Sequence, residues 1–371
     1  MTTPSPEEFI AAGLYDPDTD AATGRLELLG WLADQGFGIP EMQAGMAMDA
    51  LLNLAGDRAL VPEPRLTRAE ALHRTGLDGE TLDAYKTALG LEPIQGAPDG
   101  EVGYTEGIIE LLGMMAELRA FFSDSEVIAL SRVIASSVAR IAEAAVSTFL
   151  TDVESGYVSE GRSELELGMT SFEAARLIDG MGHRLDPLLR RHVLQAVERT
   201  RVTTVSEVER FEYRYAVGFV DLVGFTSLSG NLSARELSEF IADFDARSHE
   251  IVAEAGARVV KLIGDEVMFV AADPSAVCQA GSALIDEFAN DGDDVLPRGG
   301  MAVGNVVLRG GDYYGPVVNL ASRLAGEALP GELLVTDELA HSALACEFEP
   351  AGCRVVKGFA DPIEVHSLMP R

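Results

Sequence analysis

Apolar residues recur at i, i+3, i+4 and i+7 in one segment after another from the N-terminus to about residue 200, with few β-branched clusters among them. This period predicts an all-helical half. Its clearest stretch is SRVIASSVARIAEAAVSTFL, 131–150, where Val133, Ile134, Val138, Ile141, Ala145 and Phe149 share one face uninterrupted by Gly or Pro. Such a helix packs in a core or against a second copy. Residues 66–112 have the cadence of short helix, Gly turn, short helix. SGYVSEGRSELELG, 155–168, reads as a polar loop, and a Gly- and Pro-interrupted helix with the basic end RRHVLQAVERTR follows it. Past Thr200 the texture changes to apolar runs of strand length, such as YAVGFVDLV, ARVVKLIG, EVMFVAA and GELLVTD, separated by helical segments. Strands alternating with helices, two of them meeting at a Gly-Asp turn, predict an α+β domain with a mixed sheet. The domain boundary is placed near residue 200, giving 1–200 and 201–371.

Composition changes this picture in one respect. The formal net charge is −32, whereas a nucleic-acid binder must neutralise phosphates with a basic surface. The helix-turn-helix cadence is therefore read as a structural module, because LDGETLDAYKTALGL sets one Lys against Asp78, Glu80 and Asp83. An acidic chain can still hold a small anion through metal ions, backbone N–H groups or a few placed cations. The three cysteines form no C-x-x-C and indicate neither a disulfide framework nor a zinc site. No run of 18 apolar residues is evident and the start is acidic, so the expectation is a cytoplasmic protein with no membrane span.

Candidate chemistry begins with FVDLVGFT, 219–226, where Asp221 stands in an apolar strand. A buried charge costs several kcal/mol unless it is paired. Asp265 lies at the hairpin tip of VVKLIGDEVMF. Carboxylates from two neighbouring strand ends can bind two hard cations about 4 Å apart and hold a triphosphate. Gly224 permits close approach, and Phe225 and Thr226 open a helix whose free N–H groups could meet phosphate. A helix-capping role for Asp221 stays open. Lys261 interrupts the apolar ARVVKLIG, and Asp312 follows two glycines in RGGDYYG. Adenine offers an acceptor at N1 beside a donor at N6, which suits Lys and Asp, although an edge lysine and a turn aspartate are the plainer alternatives taken singly. Asn319 and Arg323, four apart in VVNLASRL, share a helix face and could fix a ribose and meet charge on phosphorus; an exposed polar face is the alternative.

Together and in this order, FVDLVGFT, VVKLIGDEVMF and GDYYGPVVNLASR resemble the class III nucleotidyl cyclase catalytic domain over about 201–371. The resemblance implies a ferredoxin-like mixed sheet flanked by helices. Asp221 and Asp265 match its two metal-binding carboxylates, Lys261 and Asp312 its adenine-selecting pair, and Asn319 and Arg323 its transition-state pair. VVKGFADPIEV resembles the closing motif, which gives Lys357 a triphosphate contact. It further implies that ATP, with two Mg2+ or Mn2+ ions, is cyclised to 3′,5′-cyclic AMP and pyrophosphate. Both residue sets lie on one chain, so it implies a homodimer with two composite sites. The first 200 residues are similar to the helical autoregulatory domain of soluble bacterial cyclases, including ones controlled by pH. His183 and His192, beside Arg184, Arg190 and Arg191, are the candidate sensors. The apolar helices would also allow a small-molecule or lipid ligand there.

Three other classes compete. A diguanylate cyclase is echoed by IGDEVMF, but the double glycine before the acid is missing and Lys261 with Asp312 favours adenine. A catalytically silent nucleotide sensor would lack a catalytic residue, and none is missing. A transcription regulator is opposed by the acidic balance.

Overall fold

The computed structural model describes residues 3–19, 21–60, 66–91, 103–154, 161–203, 212–289 and 295–369. The chain divides into two compact units, Met1–Arg190 and Arg191–Arg371.

The first unit is helical: α1 Pro6–Ala11, α2 Ala22–Asp34, α3 Ile39–Ala47, α4 Leu54–Leu60, α5 Arg68–Thr75, α6 Gly79–Ala88, α7 Glu106–Leu118, α8 Asp124–Thr148 and α9 Glu164–Asp179. It holds two small cores. Phe9, Leu28, Leu29, Leu32 and Met42 fill one, against Leu165 and Phe172 of α9. Leu82, Tyr85, Ile109, Leu112 and Met115 fill the other. The expected turn at Gly76 is a left-handed glycine, φ 67°, ending α5.

The polar stretch expected to be a loop over 155–168 is helical from Glu164 onward, and 155–160 lie outside the described residues. The reason is a capping box: Ser163 accepts from the Glu166 N–H while Glu166 returns to the Ser163 N–H. Arg25 then grips Glu164 through two N–H donors, at 2.5 and 2.8 Å.

The apolar face of α8 is largely uncovered, with Val138, Ile141 and Val146 exposed. The same holds for Leu188, Leu189, Val193 and Leu194 on α10, Met181–Thr203, which runs across the division at Arg190. Among the described residues the helix over Asp124–Thr151 is long and apolar enough to cross a membrane, by length and composition only. Arg132, Arg140 and Glu143 lie within it, and each charge near a bilayer centre costs about 2.5–3.5 kcal/mol on insertion scales.

The second unit is built on one sheet. Its strands are β1 Glu212–Val223, β2 Arg258–Ile263, β3 Glu266–Ala271, β4 Leu296–Arg309, β5 Asp312–Tyr314, β6 Leu333–Thr336, β7 Phe348–Arg354 and β8 Ile363–Leu368. Between them run α11 Phe225–Ser229, α12 Ala234–Glu254, α13 Pro274–Phe288, α14 Pro316–Glu327 and α15 Asp337–Ser342. The order is β2-β3-β1-β4-β6-β8-β7, with β5 paired to β4. Only β4–β6 is parallel among the described pairs, so the sheet is mixed. The run β1-α12-β2-β3-α13-β4 is the split βαβ pattern of ferredoxin-like folds.

Strand alternation sends Val220, Val267 and Phe269 to the core under α12 and α13. Val217, Phe219 and Met268 face the other way, toward α14. Gly300 lets α14 lie directly on β4: a Cβ there would stand 2.1 Å from Ala325 N and 2.3 Å from Ala321 O.

Candidate active site

Asp221 follows Phe219 at the two-residue strand period and shares its face of the sheet, two residues before β1 ends. Its register partners are Glu266 on β3 and Arg298 on β4. Arg298 donates to Asp221 Oδ2 from Nε at 3.2 Å and Nη2 at 3.0 Å, and from Nη1 to the Gly326 carbonyl at 2.8 Å. One guanidinium thus ties the carboxylate to the C-terminal turn of α14. Asp265 sits half-buried at the β2–β3 turn, where Gly264 takes φ 67°. Burial pushes the Asp265 carboxyl above its usual range; its own backbone N–H offsets this in part, and the neighbouring Asp221 adds to the rise. Glu266 is pushed up to about 7 by burial first, then by Asp221 and Asp265, with Arg298 opposing. Three carboxylates against one guanidinium leave a surplus of negative charge, and an all-oxygen donor set of this kind suits hard dications.

Lys261 shares that face of the sheet, opposite Met268 in the β2–β3 register. Its ammonium donates to Asp312 Oδ2, so the two residues read singly from the sequence are ion-paired across 51 positions. The other Asp312 oxygen accepts from the Tyr313 N–H at 2.8 Å. Tyr313 is buried, receives a 2.7 Å hydrogen bond from Arg258 Nη2, and meets Tyr215 edge-on at 5.1 Å. The β5 segment is thereby fixed from below while the Lys261–Asp312 pair stays half-exposed.

On α14, Val317, Ala321, Leu324 and Ala325 are buried; Asn319 is exposed and Arg323 half-buried. A Cβ at Gly358 would lie 2.6 Å from Arg323 Nη1, so the Arg323 guanidinium rests on the Lys357–Gly358 turn between β7 and β8. Lys357 is exposed beside it. Gly224 is left-handed at φ 97° and caps α11, in which Phe225 stacks on Phe240 at 5.4 Å and Thr226 is exposed.

The structure therefore sorts the sequence candidates into three groups: Asp221 with Asp265; Lys261 with Asp312; and Arg323 with the Lys357 turn, next to Asn319. His183 and His192 are exposed on α10, one in each unit. Glu266 and Arg298 were missed. Glu266 could have been found as the in-register neighbour of Asp221 once the hairpin was recognised; Arg298, in PRGG, carries no local signal.

The helical unit matches the family model of the adenylate cyclase regulatory domain over residues 7–197, and the sheet-based unit matches that of the adenylate and guanylate cyclase catalytic domain over 209–370. An adenylate cyclase of Streptomyces coelicolor is 31% identical over 299 residues, covering 78% of this chain and 74% of its own. A pH-sensitive adenylate cyclase of Mycobacterium tuberculosis is 27% identical over 368 residues, covering 95% and 89%. Among solved structures, the adenylyl cyclase CyaB of P. aeruginosa is 25% identical, with a TM-score of 0.40, covering 43% of this chain and 95% of that one. The chain belongs to the adenylate cyclase family, with a helical regulatory domain followed by a class III cyclase catalytic domain.

Proposed function

We propose that the protein converts ATP to 3′,5′-cyclic AMP and pyrophosphate as a homodimer with two composite sites. The observation that carries this is the surplus of carboxylate at the end of β1, on the same sheet face as an ion-paired Lys and Asp suited to adenine. Asp221 and Asp265 would hold two divalent ions, Mg2+ or Mn2+, which when bound neutralise the triphosphate and lower the proton affinity of the ribose 3′-oxygen. The 3′-oxygen forms its bond to the α-phosphorus as the bond to pyrophosphate breaks.

Lys261 and Asp312 would exchange their mutual ion pair for adenine N1 and N6. That exchange is inexpensive, because a half-exposed pair is worth only about 0–1 kcal/mol. Asn319 would orient the ribose, and Arg323, braced on the Lys357 turn, would meet the charge that grows on phosphorus. Lys357 and the backbone of Gly224, Phe225 and Thr226 would contact the phosphates. The metal carboxylates come from one subunit and the adenine and transition-state residues from the other, so a monomer is inactive.

Residues 1–200 are proposed as the regulatory domain and 201–371 as the catalytic one. The uncovered faces of α8 and α10 would pair with a second copy rather than lipid, in keeping with Arg132, Arg140 and Glu143, and the protein would be cytoplasmic. A cleft of about 480 Å³ between α4, α8 and α9, lined by Leu60, Val146, Phe149 and Ile178, offers room for a small apolar ligand. A pH response is supported by the likeness to a relative named for pH sensitivity, and His183 and His192 are the proposed sensors. The test is purified full-length protein with ATP or GTP and Mn2+, products separated: cyclic AMP from ATP supports the reading, cyclic di-GMP from GTP or no turnover contradicts it.

A further inference from the structure

A second cluster of ligand-bearing side chains lies away from the carboxylates of β1. Asp337 opens α15 and His341 follows one helical turn later, while Glu364 and His366 occupy one face of β8 at a spacing of two. The carboxylate and imidazole atoms of Asp337, Glu364 and His366 all lie within 4.8 Å of one another. Asp337 Oδ1 is 2.9 Å from His366 Nε2 and 3.3 Å from His341 Nδ1. The edge of a tetrahedron around zinc, with ligands at 2.0–2.1 Å, is about 3.3 Å. The Asp337–His366 separation falls near that edge, whereas His341 Nδ1 is held within its own helix turn, 2.9 Å from the Asp337 carbonyl oxygen.

From this convergence we infer a binding site for a transition-metal dication of the Zn2+ class, ligated by Asp337, Glu364 and His366.

The chemistry separates it from the proposed catalytic ions. An imidazole with two carboxylates favours Zn2+ over Mg2+, whereas Asp221 and Asp265 offer oxygen alone. The place is different too. In the sheet register Asp221 is level with Arg298 and hence with Glu332, and Asp337 lies five residues further along, roughly 17 Å at 3.3 Å per residue. The neighbouring Arg214 is engaged by Glu338 at 2.6 Å. Asp337 and Glu364 also line a groove of about 840 Å³, which gives an ion a path from solvent. His366 is largely buried, so the ion would clip the start of α15, at Asp337, onto the β8 strand.

The experiment uses metal-stripped full-length protein, titrated with Zn2+ in excess Mg2+, with bound metal measured after gel filtration. The expected result is one retained Zn2+ per chain, still present in Asp265→Ala and lost in His366→Ala. Glu364→Gln should weaken binding by at least about tenfold. Zn2+ should also raise the Tm of the wild type, less that of Glu364→Gln, and not that of His366→Ala. Failure to retain Zn2+, or equal retention by wild type, His366→Ala and Glu364→Gln, overturns the assignment. Should His366→Ala fail to fold, the exposed Glu364→Gln decides alone.

Discussion

Replacing Gly300 by Ala adds one methyl group where α14 meets the sheet. The new Cβ would stand 2.1 Å from Ala325 N, 2.3 Å from Ala321 O and 2.6 Å from Leu324 C, all of them backbone atoms that no rotamer change can move. Ordinary contact begins near 3.4 Å, so the helix must retreat by about 1.3 Å. Overpacking of this kind costs about 1–3 kcal/mol of stability. The larger effect is on turnover, because α14 carries Asn319 and Arg323, and a misplacement of about 1 Å can cost about 100-fold. Gly304, on the same strand, is the control: a Cβ there meets only Val317, at 3.5 Å. Cyclic AMP formation and urea unfolding are measured on both variants. Gly300→Ala should fold with reduced stability and lose about 100-fold in kcat, while Gly304→Ala should keep wild-type activity. A kcat for Gly300→Ala within threefold of wild type, or equal damage from Gly304→Ala, would refute the claim that helix seating sets the site.

Lys261→Met should raise KM for ATP by about tenfold or more, the worth of a hydrogen bond from a charged donor, and steady-state kinetics with ATP check this. Glu266 has a folded pKa of about 7, above its ordinary value of 4.5. Its ionised form is thus penalised in the folded state, fully above pH about 7, with relief as pH falls toward 4.5. In the absence of divalent ions the urea midpoint should show this loss as pH rises from 5 to 8, and Glu266→Gln should remove part of the slope. If His183 and His192 carry the pH response, the double Ala variant will have a pH–activity curve displaced from wild type; superimposable curves would exclude them.

Much of the site could be read from residue types alone. Asp221 and Lys261 are conspicuous because each interrupts an apolar strand, and a polar group there needs a partner. The partnership of Lys261 with Asp312 followed from base chemistry, since a separation of 51 positions gives no spacing rule. Arg298 was invisible for the opposite reason: PRGG resembles a strand edge, and only the β1–β4 register brings it to Asp221. The start of α9 was legible in principle, because Ser163 and Glu166 form a capping-box pattern that the polar composition of the stretch concealed. The uncovered face of α8 lay beyond sequence reading altogether. The same apolar stripe is written whether it packs within the chain or against another copy.

The claim on which the rest depends is that each catalytic centre is assembled from two subunits, one supplying Asp221 and Asp265 and the other Asn319 and Arg323. Asp265→Ala and Arg323→Ala chains, each inactive alone, are unfolded and refolded together in equal amounts. Half of the resulting dimers are mixed, each with one intact centre of two, and the mixture should regain about a quarter of wild-type cyclic AMP formation. No recovery from a mixture that demonstrably contains mixed dimers, or full activity in either variant alone, contradicts the account.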